Sequence, residues 1–143
     1  MFTTFRIRLA LAAGISVLIL APACGSSSPT SPSVNVPFSK LDLVLGTGAE
    51  ATAASTVTVK YTGWVYDLSK TENKGAQFDT NTAGVTFALP GLIQGWIEGV
   101  PGMKVGGRRR LVIPPSLGYG NRQAGLIPPN STLVFDIELV AVQ

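Results

Sequence analysis

Two periodicities divide this chain. From Thr56 to Trp64, apolar Val57, Val59 and Tyr61 alternate with Thr56, Thr58, Lys60 and Thr62, the two-residue repeat of a strand buried on one face. The same repeat runs from Thr132 to Val142, where Leu133, Phe135, Ile137, Leu139 and Ala141 point together. It recurs from Lys40 to Leu45 (Leu41, Leu43, Leu45) and from Arg108 to Ile113 (Arg109, Leu111, Ile113). Gln77 to Asp79 and Val85 to Leu89 are shorter strand candidates, separated from Trp64 by a polar segment, Asp67 to Ala76, that reads as an exposed loop. Only one stretch changes period. After the breaker pair Pro90-Gly91, Leu92, Ile93, Trp96, Ile97 and Val100 recur at three- and four-residue spacing and predict a short amphipathic helix from Leu92 to Val100.

A helix this short is marginal alone, and two internal glycines weaken it, so its apolar face must dock on the sheet. Antiparallel strands with one helix on one face make an α+β domain of about a hundred residues, starting near Phe38, which can bury an adequate core without a metal or disulfide. Trp96 and its neighbours are expected to floor an apolar cavity between helix and sheet. The Pro- and Gly-rich stretch from Pro114 to Ser131 is expected to be an ordered loop.

The N-terminal quarter follows other rules. Arg6 and Arg8, the uncharged run Leu9 to Ala21, and Ala21-Pro22-Ala23 are the parts of an export signal over residues 1–23, and the run is too short for a comfortable membrane span. Cys24 is the only cysteine, so it has no internal partner for a disulfide. Ala-Pro-Ala-Cys resembles the lipobox of bacterial lipoproteins, which implies lipidation of Cys24; ordinary cleavage after Ala23 is the rival. Residues 24–37 are rich in Ser, Thr and Pro and read as a linker. The expectation is an exported protein of the periplasm or cell envelope, held to the membrane, the outer one where there is one, through Cys24.

Charge and composition exclude more than they suggest. The net charge of +3 falls to +1 once Arg6 and Arg8 are removed, 9 basic against 8 acidic groups, which is no footprint for nucleic acid. Arg108-Arg109-Arg110 is the one basic run and reads as a solvated strand start. There is no histidine, and no acidic cluster has a metal-loop spacing, so Ser-His-Asp and Cys-His catalysis and the usual zinc sites are excluded. No metal or cofactor is implied. What remains is an apolar set, Tyr61, Phe78, Val85, Phe87, Ile93, Trp96, Tyr119, Ile127 and Phe135, which by residue type alone is either a pocket or plain core.

Five motifs in one order change that balance. Val59-Lys60-Tyr61-Thr62-Gly63, Gln77-Phe78-Asp79, Ile93-Gln94-Gly95-Trp96, Leu117-Gly118-Tyr119-Gly120 and Ile127-Pro128-Pro129-Asn130-Ser131-Thr132-Leu133-Val134-Phe135 resemble those of the FKBP family of peptidyl-prolyl cis/trans isomerases. The resemblance covers nearly everything from Lys40 to Gln143. It implies a curved antiparallel sheet of five to six strands wrapped around one short helix, with the active pocket between them. It also implies roles: Trp96 as pocket floor, Tyr61, Phe78, Phe87 and Phe135 as aromatic walls, and the Ile93 N–H as donor to a substrate carbonyl. Tyr119 would hold another carbonyl through its hydroxyl, and Leu92, Leu126 and Ile127 would add apolar contacts. Asp79 either accepts a hydrogen bond from Tyr119 or biases the field across the substrate amide, or it anchors a turn with Asn81. The chain departs from the family in carrying Val85 where an aromatic is common, in a turn about two residues shorter at Pro90-Gly91, and in a longer segment between Gly63 and Phe78.

The implied activity is rotation about X-Pro bonds of unfolded or flexible segments, by a monomer that needs no cofactor, with macrolides as possible inhibitors. A non-catalytic module that captures proline segments in the same pocket is the rival reading.

Overall fold

The computed structural model describes residues 35–143, so the expected export signal, Cys24 and most of the expected linker lie outside the described residues. The alternating segments form five strands: β1 (Ser39–Val44), β2 (Thr56–Tyr66), β3 (Lys74–Ala88), β4 (Arg108–Ile113) and β5 (Leu133–Val142). They make one sheet in the order β1-β4-β5-β2-β3, antiparallel at every pairing. The one α-helix among the described residues, α1 (Gln94–Gly99), packs on β4. Val57, Val59, Leu111, Ile113, Leu133, Ile137 and Leu139 are fully buried, and Trp96, Val100 and Met103 close the core from the helix side. This is the α+β architecture that the pattern predicts.

Four details differ from the sequence expectations. The helix is shorter: Leu89–Gly91 forms a turn of 3-10 helix containing Pro90, and Ile93 is an extended N-cap, so Leu92 and Ile93 precede α1. The two short strands flanking Thr80 to Gly84 are one strand, β3, which begins at Lys74. It stays continuous by bulging: Val59 faces Val85 and Tyr61 faces Asn81, so Lys60 alone opposes three residues. The Asn81 side chain accepts the Gly84 N–H at 2.9 Å, and Gly84 takes φ +102°, which only glycine adopts cheaply.

The third difference is β1. It is a strand, but all six residues are exposed, Leu41 at 60%, and Leu45 just beyond it is 78% accessible. It is an outer strand that no second layer covers, and a bulge between Asp42 and Val44 breaks its alternation. The fourth is the basic run. Arg109 is only 7% exposed, and Arg110 is half-buried, so the triplet is not a solvated strand start.

Arg110 instead belongs to an ion network on the outer face of the sheet. Its Nε and Nη2 donate to Asp136 at 2.7 and 2.9 Å, and Lys74 Nζ donates to Asp136 and Glu72 at 2.8 Å each. Arg110 Nη1 reaches Glu72 at 3.0 Å, and Lys74 lies over the Trp64 ring at 4.5 Å. Burial alone would raise the Asp136 carboxyl, but the hydrogen bonds from Arg110 and Lys74 outweigh it and hold it below the usual carboxylate range. The same pairing raises Arg110. The network ties β3, β4 and β5 together behind the cavity described next.

Candidate active site

Strand alternation puts Phe135 on the opposite face from Asp136, toward the helix. There it meets Trp96 edge to face, ring centres 5.3 Å apart at 86°. Tyr61 meets Trp96 in the same way at 5.4 Å and 88°, and Phe87 at 6.1 Å and 88°. Phe78 in turn stands against Phe135 at 5.5 Å and 85°. Edge-to-face contacts place the positive rim of one ring against the negative face of the next, so the cluster is cohesive without being close-stacked. Between these rings lies an open cavity of about 250 Å³, lined by Tyr61, Phe78, Asp79, Phe87, Leu92, Ile93, Trp96, Tyr119 and Phe135.

Glycines make the cluster possible. A Cβ on Gly63 would lie 2.6 Å from the Phe78 ring and 2.8 Å from that of Phe135, so the two walls meet over a residue that has no side chain. Gly95 and Gly99 let α1 settle onto β4, since a Cβ on either would lie within 2.6 Å of Ile113 or Leu111. Gly63 and Gly95 fall within the sequence motifs, but sequence reasoning assigned Gly63 no part in the site.

The polar groups are few and directed. The Tyr61 hydroxyl donates to Asp79 Oδ2 at 2.6 Å, and Asp79 Oδ1 accepts the Thr80 N–H at 2.8 Å. Burial, and then this bond to a carboxylate, push the Tyr61 phenol up to about 12. Thus Asp79 pairs with Tyr61 and not with Tyr119, which corrects one expected partner; its anchoring bond is to Thr80, while Asn81 serves Gly84. The Tyr119 hydroxyl has no protein partner among the described residues and its side chain is 40% exposed. The Ile93 N–H, just ahead of the first turn of α1, likewise meets no protein acceptor among them. Two unused donors therefore border an apolar space.

Nine of the twelve candidate pocket residues converge on the cavity. The other three do not: Val85 packs against the core, Ile127 is buried in it at 4% exposure, and Leu126 is 77% exposed. The loop that carries Leu126 and Ile127 turns through an isolated bridge between Ala124 and Ile127, which directs Ile127 inward. Among the described residues no group of three or more His, Cys, Asp or Glu side chains is placed to hold a metal.

A five-stranded antiparallel sheet around one short helix, with an aromatic cavity between them, defines the class of FKBP-like proteins. The sequence profile of the FKBP-type peptidyl-prolyl cis-trans isomerases matches residues 48–140, and the chain belongs to that family. It is 44% identical over 107 residues to an FK506-binding protein of Neisseria meningitidis, covering 71% of this chain and 92% of the relative. It is 45% identical over 101 residues to FkpA, an FKBP-type peptidyl-prolyl cis-trans isomerase of Escherichia coli, covering 68% of this chain and 35% of that protein. The crystal structure of a peptidyl-prolyl cis-trans isomerase from Pseudomonas syringae superposes with a TM-score of 0.66 at 38% identity, over 74% of this chain and 75% of that one.

Proposed function

We propose that this isomerase acts on X-Pro bonds of unfolded or flexible polypeptides outside the cytoplasm, as a monomer anchored through Cys24, and that the cavity over Trp96 is where the bond rotates. The observation that carries the reading is the pairing of an edge-on aromatic floor with two unengaged donors, the Ile93 N–H and the Tyr119 hydroxyl.

Rotation about a peptide bond is resisted by a barrier of about 18–20 kcal/mol because the planar amide is resonance-stabilised, and an uncatalysed X-Pro bond takes tens to hundreds of seconds. Twisting removes the resonance and with it part of the amide's charge separation. An apolar cavity favours the less polar twisted form over the planar one, so the surroundings bind the transition state better than the ground state. The prolyl ring fits against Trp96, the Ile93 N–H and the Tyr119 hydroxyl orient flanking carbonyls, and Asp79 holds the Tyr61 ring in its edge-on pose. A thousandfold acceleration asks for about 4 kcal/mol of such preference. No proton transfer is involved.

The test is a protease-coupled X-Pro assay on the domain from Phe38 onward, with a macrolide competitor and the variants Tyr119→Phe and Trp96→Ala. Acceleration that the macrolide blocks and both variants reduce is expected. A folded domain without acceleration for any residue before proline would instead favour a proline-binding module. Globomycin-sensitive processing and membrane fractionation, both lost in Cys24→Ser, check the anchor.

A further inference from the structure

A six-residue helix with glycines at two positions needs outside help to hold its place, and Trp96 rides on it. At the helix end the Val100 N–H closes onto the Trp96 carbonyl, while the later carbonyls lack intrahelical donors. Arg109 supplies one for Gly99, the last helical residue, and bonds Pro101 just beyond the C-cap. From β4 it reaches under the sheet, and its Nη1 donates to Gly99 O at 2.8 Å and Pro101 O at 3.1 Å. The rest of the guanidinium is fixed from the opposite side: Nε donates to Asp42 Oδ1 at 2.5 Å and Nη2 to Asp42 Oδ2 at 3.1 Å. The planar guanidinium makes four bonds, engaging both carboxylate oxygens and two carbonyls, an arrangement that the three donors of an ammonium cannot copy. The Arg109 side chain is 9% exposed and that of Asp42 39%, so the bonds to the two carbonyls are shielded from water while the carboxylate end of the fork is partly solvated.

We propose that Arg109 is a positioning residue of the isomerase site, held by Asp42, setting the height of the Trp96 floor by pinning the C-terminal end of α1. Asp42, on the exposed strand β1, thereby belongs to the machinery of a cavity that it does not line. The inference rests on the reading of that cavity as the site of rotation.

The same strand provides the control. Arg110 makes a similar fork to Asp136, but on the outer face, away from the helix. Arg109→Lys and Arg110→Lys are therefore the same chemical change on opposite sides of one sheet. All variants are made in the full chain carrying Trp64→Phe, which leaves Trp96 as the only tryptophan. Arg109→Lys is expected to lower kcat/KM about fivefold or more and to alter the near-ultraviolet circular dichroism of Trp96, which its edge-on partners generate. Arg110→Lys is expected to change the midpoint of urea unfolding while leaving kcat/KM within twofold and the Trp96 spectrum intact. Asp42→Asn, which leaves the Gly99 and Pro101 carbonyls bonded, should show an intermediate loss and serves if Arg109→Lys does not fold. The proposal is overturned if folded Arg109→Lys, or Asp42→Asn in its place, keeps both rate and spectrum, or if Arg110→Lys loses as much rate. An inactive parent chain would defeat the reading of the cavity, and the Trp96 spectrum would still decide the role of Arg109.

Discussion

Gly95→Ala sets two effects of opposite sign against each other. Alanine is the better helix former by about 1 kcal/mol, and α1 is short enough to benefit. The added methyl, however, would sit 2.5 Å from Ile113 Cγ2, 2.6 Å from Cδ1 and 2.8 Å from Cγ1. Ordinary carbon contacts begin near 3.5 Å, so something must move by about 1 Å. Ile113 is fully buried and branched close to its backbone, and it cannot swing away; the helix must lift. Overpacking of this kind costs about 1–3 kcal/mol, which exceeds the propensity gain, so a net loss of about 1 kcal/mol is expected in urea unfolding. Trp96 rises with the helix, and a loss of about 1 kcal/mol of transition-state stabilisation would lower kcat/KM about fivefold. Ile113→Ala in the same chain should make room, giving a double variant less destabilised than the sum of the singles by about 1 kcal/mol. Gly91→Ala, where nothing lies within 4 Å, should be close to neutral. A Gly95→Ala protein more stable than its parent, with unchanged kcat/KM, would refute the claim that close approach to β4 sets the floor.

Tyr61→Phe removes the hydroxyl that holds Asp79; a stability loss of about 1 kcal/mol and a several-fold fall in kcat/KM are expected, read by denaturation and the coupled assay. Because the folded Tyr61 phenol lies near 12 against about 10 when unfolded, its contribution is complete below pH 10 and disappears as pH rises toward 12; pH-dependent unfolding should show that decline in the parent and not in Tyr61→Phe. Asp136→Asn leaves Arg110 and Lys74 only the exposed Glu72 as a shared carboxylate and should cost about 1–3 kcal/mol. Its folded carboxyl is depressed, so the stability it contributes is present above about pH 4 and lost as pH falls through the folded value, a loss that Asp136→Asn should lack in acid titration. Leu41→Thr on the exposed β1 should change stability by less than about 0.5 kcal/mol and raise solubility, checked by denaturation and precipitation.

Where a residue's neighbours are set by its own strand or helix, the sequence was enough to place it. Leu133, Phe135, Ile137 and Leu139 share a face by alternation, and Trp96 points inward by helical spacing, so the aromatic cluster could be anticipated in outline. What periodicity does not report is which layer, if any, covers a face. The repeat at Leu41, Leu43 and Leu45 is as regular as that of β2, yet nothing packs on it and a bulge interrupts it. Charge misled for a related reason. Arg109 alternates correctly with Leu111 and Ile113, and its inward position follows; only the carbonyls of Gly99 and Pro101 and the carboxylate of Asp42, remote in sequence, make that position tolerable. The partner of Asp79 was out of reach too, because pairing it with Tyr61 depends on the register of β2 with β3, which bulges in between.

The cavity itself follows from an asymmetry in how the helix meets the sheet. Toward β4, two glycines bring α1 down until the side chains of Leu111 and Ile113 fill all the space between. Toward β2, β3 and β5 there is no such approach, and the separation is spanned by rings standing edge-on to Trp96, at centre distances of 5.3–6.1 Å. Rings at that spacing bound a space and do not fill it. A side chain small enough to leave it open would not wall it, and a flexible one would collapse into it; rigid aromatics keep the opening mainly apolar, with its polar groups confined to the Tyr61–Asp79 pair and the donors at its border. The fold thus closes tightly on one flank of the helix and stands off on the other, and the open flank is where, under the function proposed above, a twisted, less polar X-Pro bond would be better accommodated than a flat one.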